Sequence, residues 1–69
     1  MDLRGLRKKN RYKQLEVAEI LGVSNVTVHC WEKGSCRPNF DSQDKLAELY
    51  GVDIAVLRES IRESKSQTA

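Results

Sequence analysis

Twenty residues, Gln14 to Lys33, constrain this chain more than any other feature. Ala18, Gly22 and Val28 follow one another at intervals of four and six, and Val17, Leu21, Val23 and Trp31 fill the apolar positions around them. The spacing predicts two short helices joined by a tight turn. Ala18 is small where a second helix crosses over the first. Gly22 stands where the chain leaves the first helix with positive φ, which glycine adopts without a Cβ penalty. Ser24 offers a side-chain oxygen to cap the second helix. Val28 and Trp31, three apart, turn one side of that helix to the core, and its opposite side is left for a partner.

The rest reads as further helices. A first helix is expected from Asp2 to about Asn10, capped by Asp2, with Leu3, Leu6 and Arg7 on one face. The second runs from about Gln14 to Leu21, and the third from just after Ser24 to near Lys33, stopped by Gly34. Pro38 disfavours helical geometry at Arg37. Asn39 caps a fourth helix that ends at Tyr50 before Gly51, with Phe40, Leu46, Ala47, Leu49 and Tyr50 as its apolar positions. Asp53 caps a fifth, on which Ile54, Leu57 and Ile61 recur at intervals of three and four. Leu57 is expected to close the core; Ile61 lies beyond it and, with Ile54, is a candidate for a contact between two copies. The expected organisation is one domain over residues 1–63 and a frayed tail over 64–69, which has nothing to bury. One proline and almost no strand patterning favour an all-α fold.

Composition narrows the function classes. The net charge of +2 is unevenly spread: Met1 to Arg37 holds eight Lys/Arg against four Asp/Glu, and Pro38 to Ala69 holds four against six. Arg4, Arg7, Lys8, Lys9, Arg11 and Lys13 crowd the first helix and its exit. A basic half suits a polyanionic partner, although a solvated face has the same composition. No apolar run is long enough for a membrane span, and no apolar signal segment follows Met1-Asp2-Leu3-Arg4, so a cytoplasmic setting is expected. Sixty-nine residues leave no room for an effector domain, so the chain is expected either to work alone or to be part of a longer regulator, and no small-molecule ligand or cofactor is expected. No nucleophile–base pair, carboxylate pair or phosphate-cradling glycine loop points to an enzyme. His29 and Cys30 with Cys36 lack the fourth ligand or CxxC spacing of a zinc site, and two cysteines are too few for a disulfide framework, so free thiols are expected in preference to a redox pair.

With those residues in view, the chain resembles the phage-repressor/Cro-type helix-turn-helix domain, also called the XRE family. The resemblance covers roughly Leu3 to Leu57 and rests on Leu6-Arg7, Gln14, Ala18, Leu21-Gly22-Val23-Ser24, Trp31-Glu32-Lys33-Gly34, Pro38, Leu46-Ala47 and Gly51-Val52. It implies a compact five-helix bundle, lambda-repressor-like, with the helix-turn-helix formed by the second and third helices. It implies a sequence-specific regulator that binds operator DNA, usually as a two-fold homodimer whose recognition helices stand about 34 Å apart. The resemblance places Asn25, Val26 and Cys30 where relatives carry base-reading side chains and Ser24, Thr27 and His29 on the same DNA-facing surface. It places Gln14 against a phosphate and as a brace for the recognition helix, Lys33, Ser35 and Arg37 along the backbone, and Arg7 with Glu32 in a buried ion pair.

Three positions depart from the pattern. Lys13 replaces the Ser or Thr that caps the second helix, a loss of about 1 kcal/mol, though its ammonium can reach a phosphate. Gln43 replaces a leucine, so a thinner core is expected there. Cys30 replaces a longer polar or basic residue.

The chemistry of the outward face fits DNA. Asn25 can bond adenine, Val26 can meet a thymine methyl, and His29 can donate to guanine or phosphate. Asn25 also suits a helix start, Val26 can simply be exposed, and Thr27 can bond back to its helix start. The competing class is a protein-interaction module of the same fold, such as an antitoxin or coactivator-like bundle; an apolar stripe on the third helix would favour it.

Overall fold

The computed structural model describes residues 1–66. Five helices follow in order: α1 (Leu3–Lys9), α2 (Gln14–Leu21), α3 (Asn25–Lys33), α4 (Phe40–Tyr50) and α5 (Ile54–Ser66), with no strand among the described residues. The expected all-α bundle is therefore what forms, and its boundaries fall where single residues place them. Oδ1 of Asp2 accepts the Gly5 N–H at 2.8 Å, Oγ of Ser24 the Thr27 N–H at 3.1 Å, and Oδ1 of Asn39 the Ser42 N–H at 2.8 Å. Each satisfies one of the donors that a helix start leaves unpaired. Lys13 has no acceptor to offer. Glu16 reaches back instead, and its carboxylate takes the Lys13 N–H at 2.8 Å, which is half of a capping box.

The core gathers at the meeting of all five helices. Leu3 and Leu6 enter from α1, Val17, Ala18 and Leu21 from α2, and Val28 and Trp31 from α3. Leu46, Ala47 and Tyr50 enter from α4 and Leu57 from α5. Buried Ala18 sits midway along α2, and its carbonyl accepts the Val23 N–H at 2.9 Å as the chain turns through Gly22 (φ 72°).

Several residues lie elsewhere than the sequence suggested. Ile61 is 4% exposed and belongs to the core of a single chain, so it offers no surface to a second copy. Ile54, the other candidate for such a contact, is half-buried against the same core. Ser64, expected to begin a frayed tail, is helical and wholly buried, and its Oγ accepts the Leu3 N–H at 3.0 Å. A small hydroxyl there satisfies a donor that α1 cannot pair within its own first turn. Residues 67–69 of the expected tail lie outside the described residues. Phe40, counted among the apolar positions of α4, is 73% exposed, with the Arg58 guanidinium 5.7 Å from its ring centre. It stands at the first position of α4, one turn ahead of the residues that meet the core. Gln43 does not thin the core. It is buried, with its amide donating to the Pro38 carbonyl at 2.9 Å and accepting from Arg58 Nε at 3.3 Å. Among the described residues no buried side-chain nitrogen or oxygen lacks a partner.

The end of α5 presses on the end of α3. A Cβ at Gly34 would come within 2.8 Å of the Ser64 carbonyl oxygen and of Lys65 Cα. Gly34 (φ 86°) thus meets two demands, left-handed backbone and close approach, whereas Gly22 meets only the first, with nothing within 4 Å of a Cβ placed there. The expected outcome is a graded loss in urea unfolding. Gly22→Ala should cost about 1 kcal/mol from the left-handed backbone. Gly34→Ala should cost upwards of 3 kcal/mol, because α5 must also move. Equal losses would show that α5 does not bear on Gly34.

Candidate nucleic-acid interface

Helix α3 divides cleanly into two sides. Val28, Trp31 and Glu32 are buried, while Asn25, Val26, His29 and Lys33 are exposed, and Thr27 and Cys30 lie between. The outward strip is polar apart from Val26, which is 68% exposed. Ser24, Lys13, Ser35 and Arg37 are exposed around it, and Gln14 is half-buried at the start of α2. The Thr27 hydroxyl lies 2.8 Å from Ser24 Oγ, so it is tied back to the start of its own helix.

What holds this helix is a carboxylate brought inside. Glu32 (5% exposed) pairs with Arg7 (11%) through Nε–Oε2 at 2.6 Å and Nη2–Oε1 at 3.2 Å. The two parallel bonds match the planar fork of a guanidinium to a carboxylate. Arg7 Nη1 also donates to the Tyr12 carbonyl at 2.9 Å, and Gln14 Nε2 donates to Glu32 Oε1 at 3.0 Å. Four segments therefore meet at one charge: α1, the turn after it, the start of α2 and the end of α3. The same Gln14 nitrogen lies 3.4 Å from His29 Nδ1. Because the carboxylate can only accept, that nitrogen is the donor, and its second hydrogen faces Nδ1. Nδ1 is placed to accept it when that ring nitrogen carries no proton. Nearby, burial first and then the Glu32 charge push the Tyr50 phenol well above its ordinary range, so it stays protonated.

The structure thus joins the expected Arg7–Glu32 pair to Gln14 and His29, which the sequence singled out separately. The Tyr12 contact was not legible, because it is made by a main-chain carbonyl. The turn that presents it runs through Arg11 in left-handed backbone (φ 61°), with the Tyr12 N–H bonded to the Arg7 carbonyl at 3.1 Å. No three His, Cys, Asp or Glu side chains among the described residues group as a metal site would need.

The helix-turn-helix family profile matches residues 3–57. This chain belongs to that family, in its phage-repressor form. A relative, the cryptic phage CTXphi transcriptional repressor RstR of Vibrio cholerae, is 42% identical over 55 residues. The match covers 80% of this chain and spans about half the length of that repressor, 50%. No solved structure matches this chain at a significant level.

If the ion pair serves to position α3, its parts and its whole should behave differently in denaturant. Arg7→Met leaves a buried carboxylate without its cation and should cost about 3–5 kcal/mol. Arg7→Met combined with Glu32→Leu should lie within about 1 kcal/mol of the natural protein, because the desolvation cost vanishes with the charges. A double variant as unstable as the single would contradict this.

Proposed function

We propose that this helix-turn-helix domain is a sequence-specific, double-stranded DNA-binding transcriptional regulator that lays α3 in the major groove. One observation carries the reading: α3 buries Val28, Trp31 and Glu32 and holds Asn25, Val26 and His29 outward on a rigid support. Asn25 reads adenine, Val26 meets a thymine methyl, and His29 donates to guanine or phosphate. Cys30 borders the same strip. Lys13, Lys33, Ser35 and Arg37 bind the phosphate backbone, with Ser24 and Thr27 at the start of α3. The similarity to a transcriptional repressor supports this assignment.

Gln14 takes a modified role. Its amide hydrogens serve Glu32 and His29, so the phosphate meets its backbone N–H at the start of α2. Lys13 has no side-chain acceptor to occupy the first donors of that helix, and a phosphate is a suitable partner for them. The missing cap thereby becomes an anion site flanked by the Lys13 ammonium.

The domain acts as a two-fold homodimer on a pseudo-palindromic operator, in the cytoplasm, and has no catalytic role. Among the described residues no helix is long and apolar enough to cross a membrane. The polar face of α3 favours DNA over a protein groove.

Selection of bound duplexes from a random pool tests the assignment, and a palindromic consensus is expected. Lys33→Ala and Arg37→Ala should weaken all sequences alike and each reduce the salt slope by about 1, whereas Asn25→Ala should relax one base position. A change of base preference from Lys33→Ala or Arg37→Ala would overturn this sorting of roles. Absence of binding at low salt would overturn the DNA assignment itself.

A further inference from the structure

The end of the recognition helix carries two thiols that the DNA-binding reading does not need. The Cys30 carbonyl accepts three backbone N–H groups: Gly34 at 3.0 Å, Ser35 at 3.1 Å and Cys36 at 3.5 Å. The left-handed turn at Gly34 wraps the chain back over the last turn of α3 and brings Cys36 beside Cys30. Both are free, Cys36 exposed and Cys30 half-buried. Their thiols interact: burial first, then hydrogen bonding and charge repulsion with Cys30, push the Cys36 thiol up from its ordinary range.

We propose that Cys30 and Cys36 form a reversible dithiol–disulfide switch on the DNA-binding surface, driven by a small-molecule disulfide of the glutathione class. The proposal rests on the DNA-binding reading for its effect and on the thiol geometry for its chemistry. Exposed Cys36 loses its proton to solvent, and its thiolate attacks one sulfur of oxidised glutathione. That S–S bond breaks, and the first glutathione leaves as a thiolate, which takes up a proton. Cys30, deprotonated in turn, attacks the Cys36 sulfur of the mixed disulfide and expels the second glutathione, which is protonated likewise. The two cysteines lose two electrons and two protons, and oxidised glutathione becomes two reduced molecules.

The arrangement suits a switch better than a structural bond. The fold forms with both thiols free. A bridge across so short a loop removes little entropy from the unfolded chain, and an exposed sulfur leaves it open to reduction. The bond matters to DNA because of what flanks it. Cys36 lies between Ser35 and Arg37, both assigned to phosphates, and Cys30 borders the base-reading strip. Drawing the two sulfurs to bonding distance pulls the loop toward α3 and takes Ser35 and Arg37 out of register with the backbone. The raised thiol keeps exchange slow at neutral pH, so oxidation accelerates as pH rises.

Reduced full-length protein treated with oxidised glutathione tests this by two readouts. Intact mass with non-reducing peptide mapping should show the loss of two hydrogens and a Cys30–Cys36 link, formed faster at higher pH. Affinity for random duplex DNA at low salt should fall about tenfold, the loss of one or two phosphate contacts, and return on reduction. Cys36→Ser should bind as the reduced protein does and keep its affinity after the same treatment. Glutathione adducts without the internal link would overturn the chemistry. A link that leaves affinity unchanged, or an equal loss in Cys36→Ser, would overturn the switch. Should the reduced protein bind no DNA, the function falls with the switch, while the mass still reports whether the link forms.

Discussion

Glu32 brings a negative charge into the interior, and the rest of the molecule is arranged to answer it. A buried carboxylate is costly unless it is paired and fully hydrogen-bonded. Here Arg7 supplies a bidentate partner from α1, and Gln14 supplies a further donor from α2. Hydrophobic burial alone would let α3 slide or rotate, because apolar contacts have no direction. Hydrogen bonds to a fixed carboxylate do have one. The pair thus sets the rotation of α3 about its axis, and with it which side chains face outward. Its net contribution to stability is small by comparison, since desolvation offsets most of the Coulomb attraction.

A second constraint acts at the other end of the chain. Helix α5 reaches α1 through Ser64 and the Leu3 N–H, and it reaches the end of α3 at Gly34. The ammonium of Met1 meets Glu63 at 2.6 Å on the exposed side of the same junction, where it adds little. Close approach requires small residues, and Gly34, Ser60 and Ser64 provide them; Ser60 is buried with its hydroxyl turned onto the Val56 carbonyl at 3.1 Å. The loop that begins at Gly34 carries Ser35, Cys36 and Arg37. Packing of α5 therefore bears on the part of the surface assigned to the DNA backbone.

The helices were legible because their ends depend on single residues with strong local preferences. Asp2, Ser24 and Asn39 cap, and Gly34 and Gly51 stop, and none of this requires knowledge of the tertiary fold. The outward strip of α3 was legible for a related reason: Val28 and Trp31 mark the inner side, and the remaining residues must face out. What escaped the sequence was every feature set by a distant partner. The burial of Ser64 depends on a backbone N–H 61 residues away. Gln43 is accommodated by the Pro38 carbonyl and Arg58, and neither is visible from its own helix. Ile61 joins the core because α5 carries its apolar face one turn beyond Leu57, where the core was expected to close. The proximity of the two thiols follows from the turn at Gly34, which spacing alone does not describe. Gln14 was expected as a brace and a phosphate ligand; its amide reaches Glu32 and His29, and in the proposed function the phosphate role passes to its main-chain N–H.

In the proposed function, the outward side of α3, held by the Arg7–Glu32–Gln14 network, is the surface that meets DNA. Backbone amide shifts in ¹⁵N-labelled protein, followed by NMR as duplex DNA is added, test it most directly. The largest changes are expected at residues 24–30 and 33–37 and at the Gln14 amide, with the amides around Phe40 and Val56 nearly still. Changes centred on α4 and α5, with residues 25–30 unmoved, would contradict it.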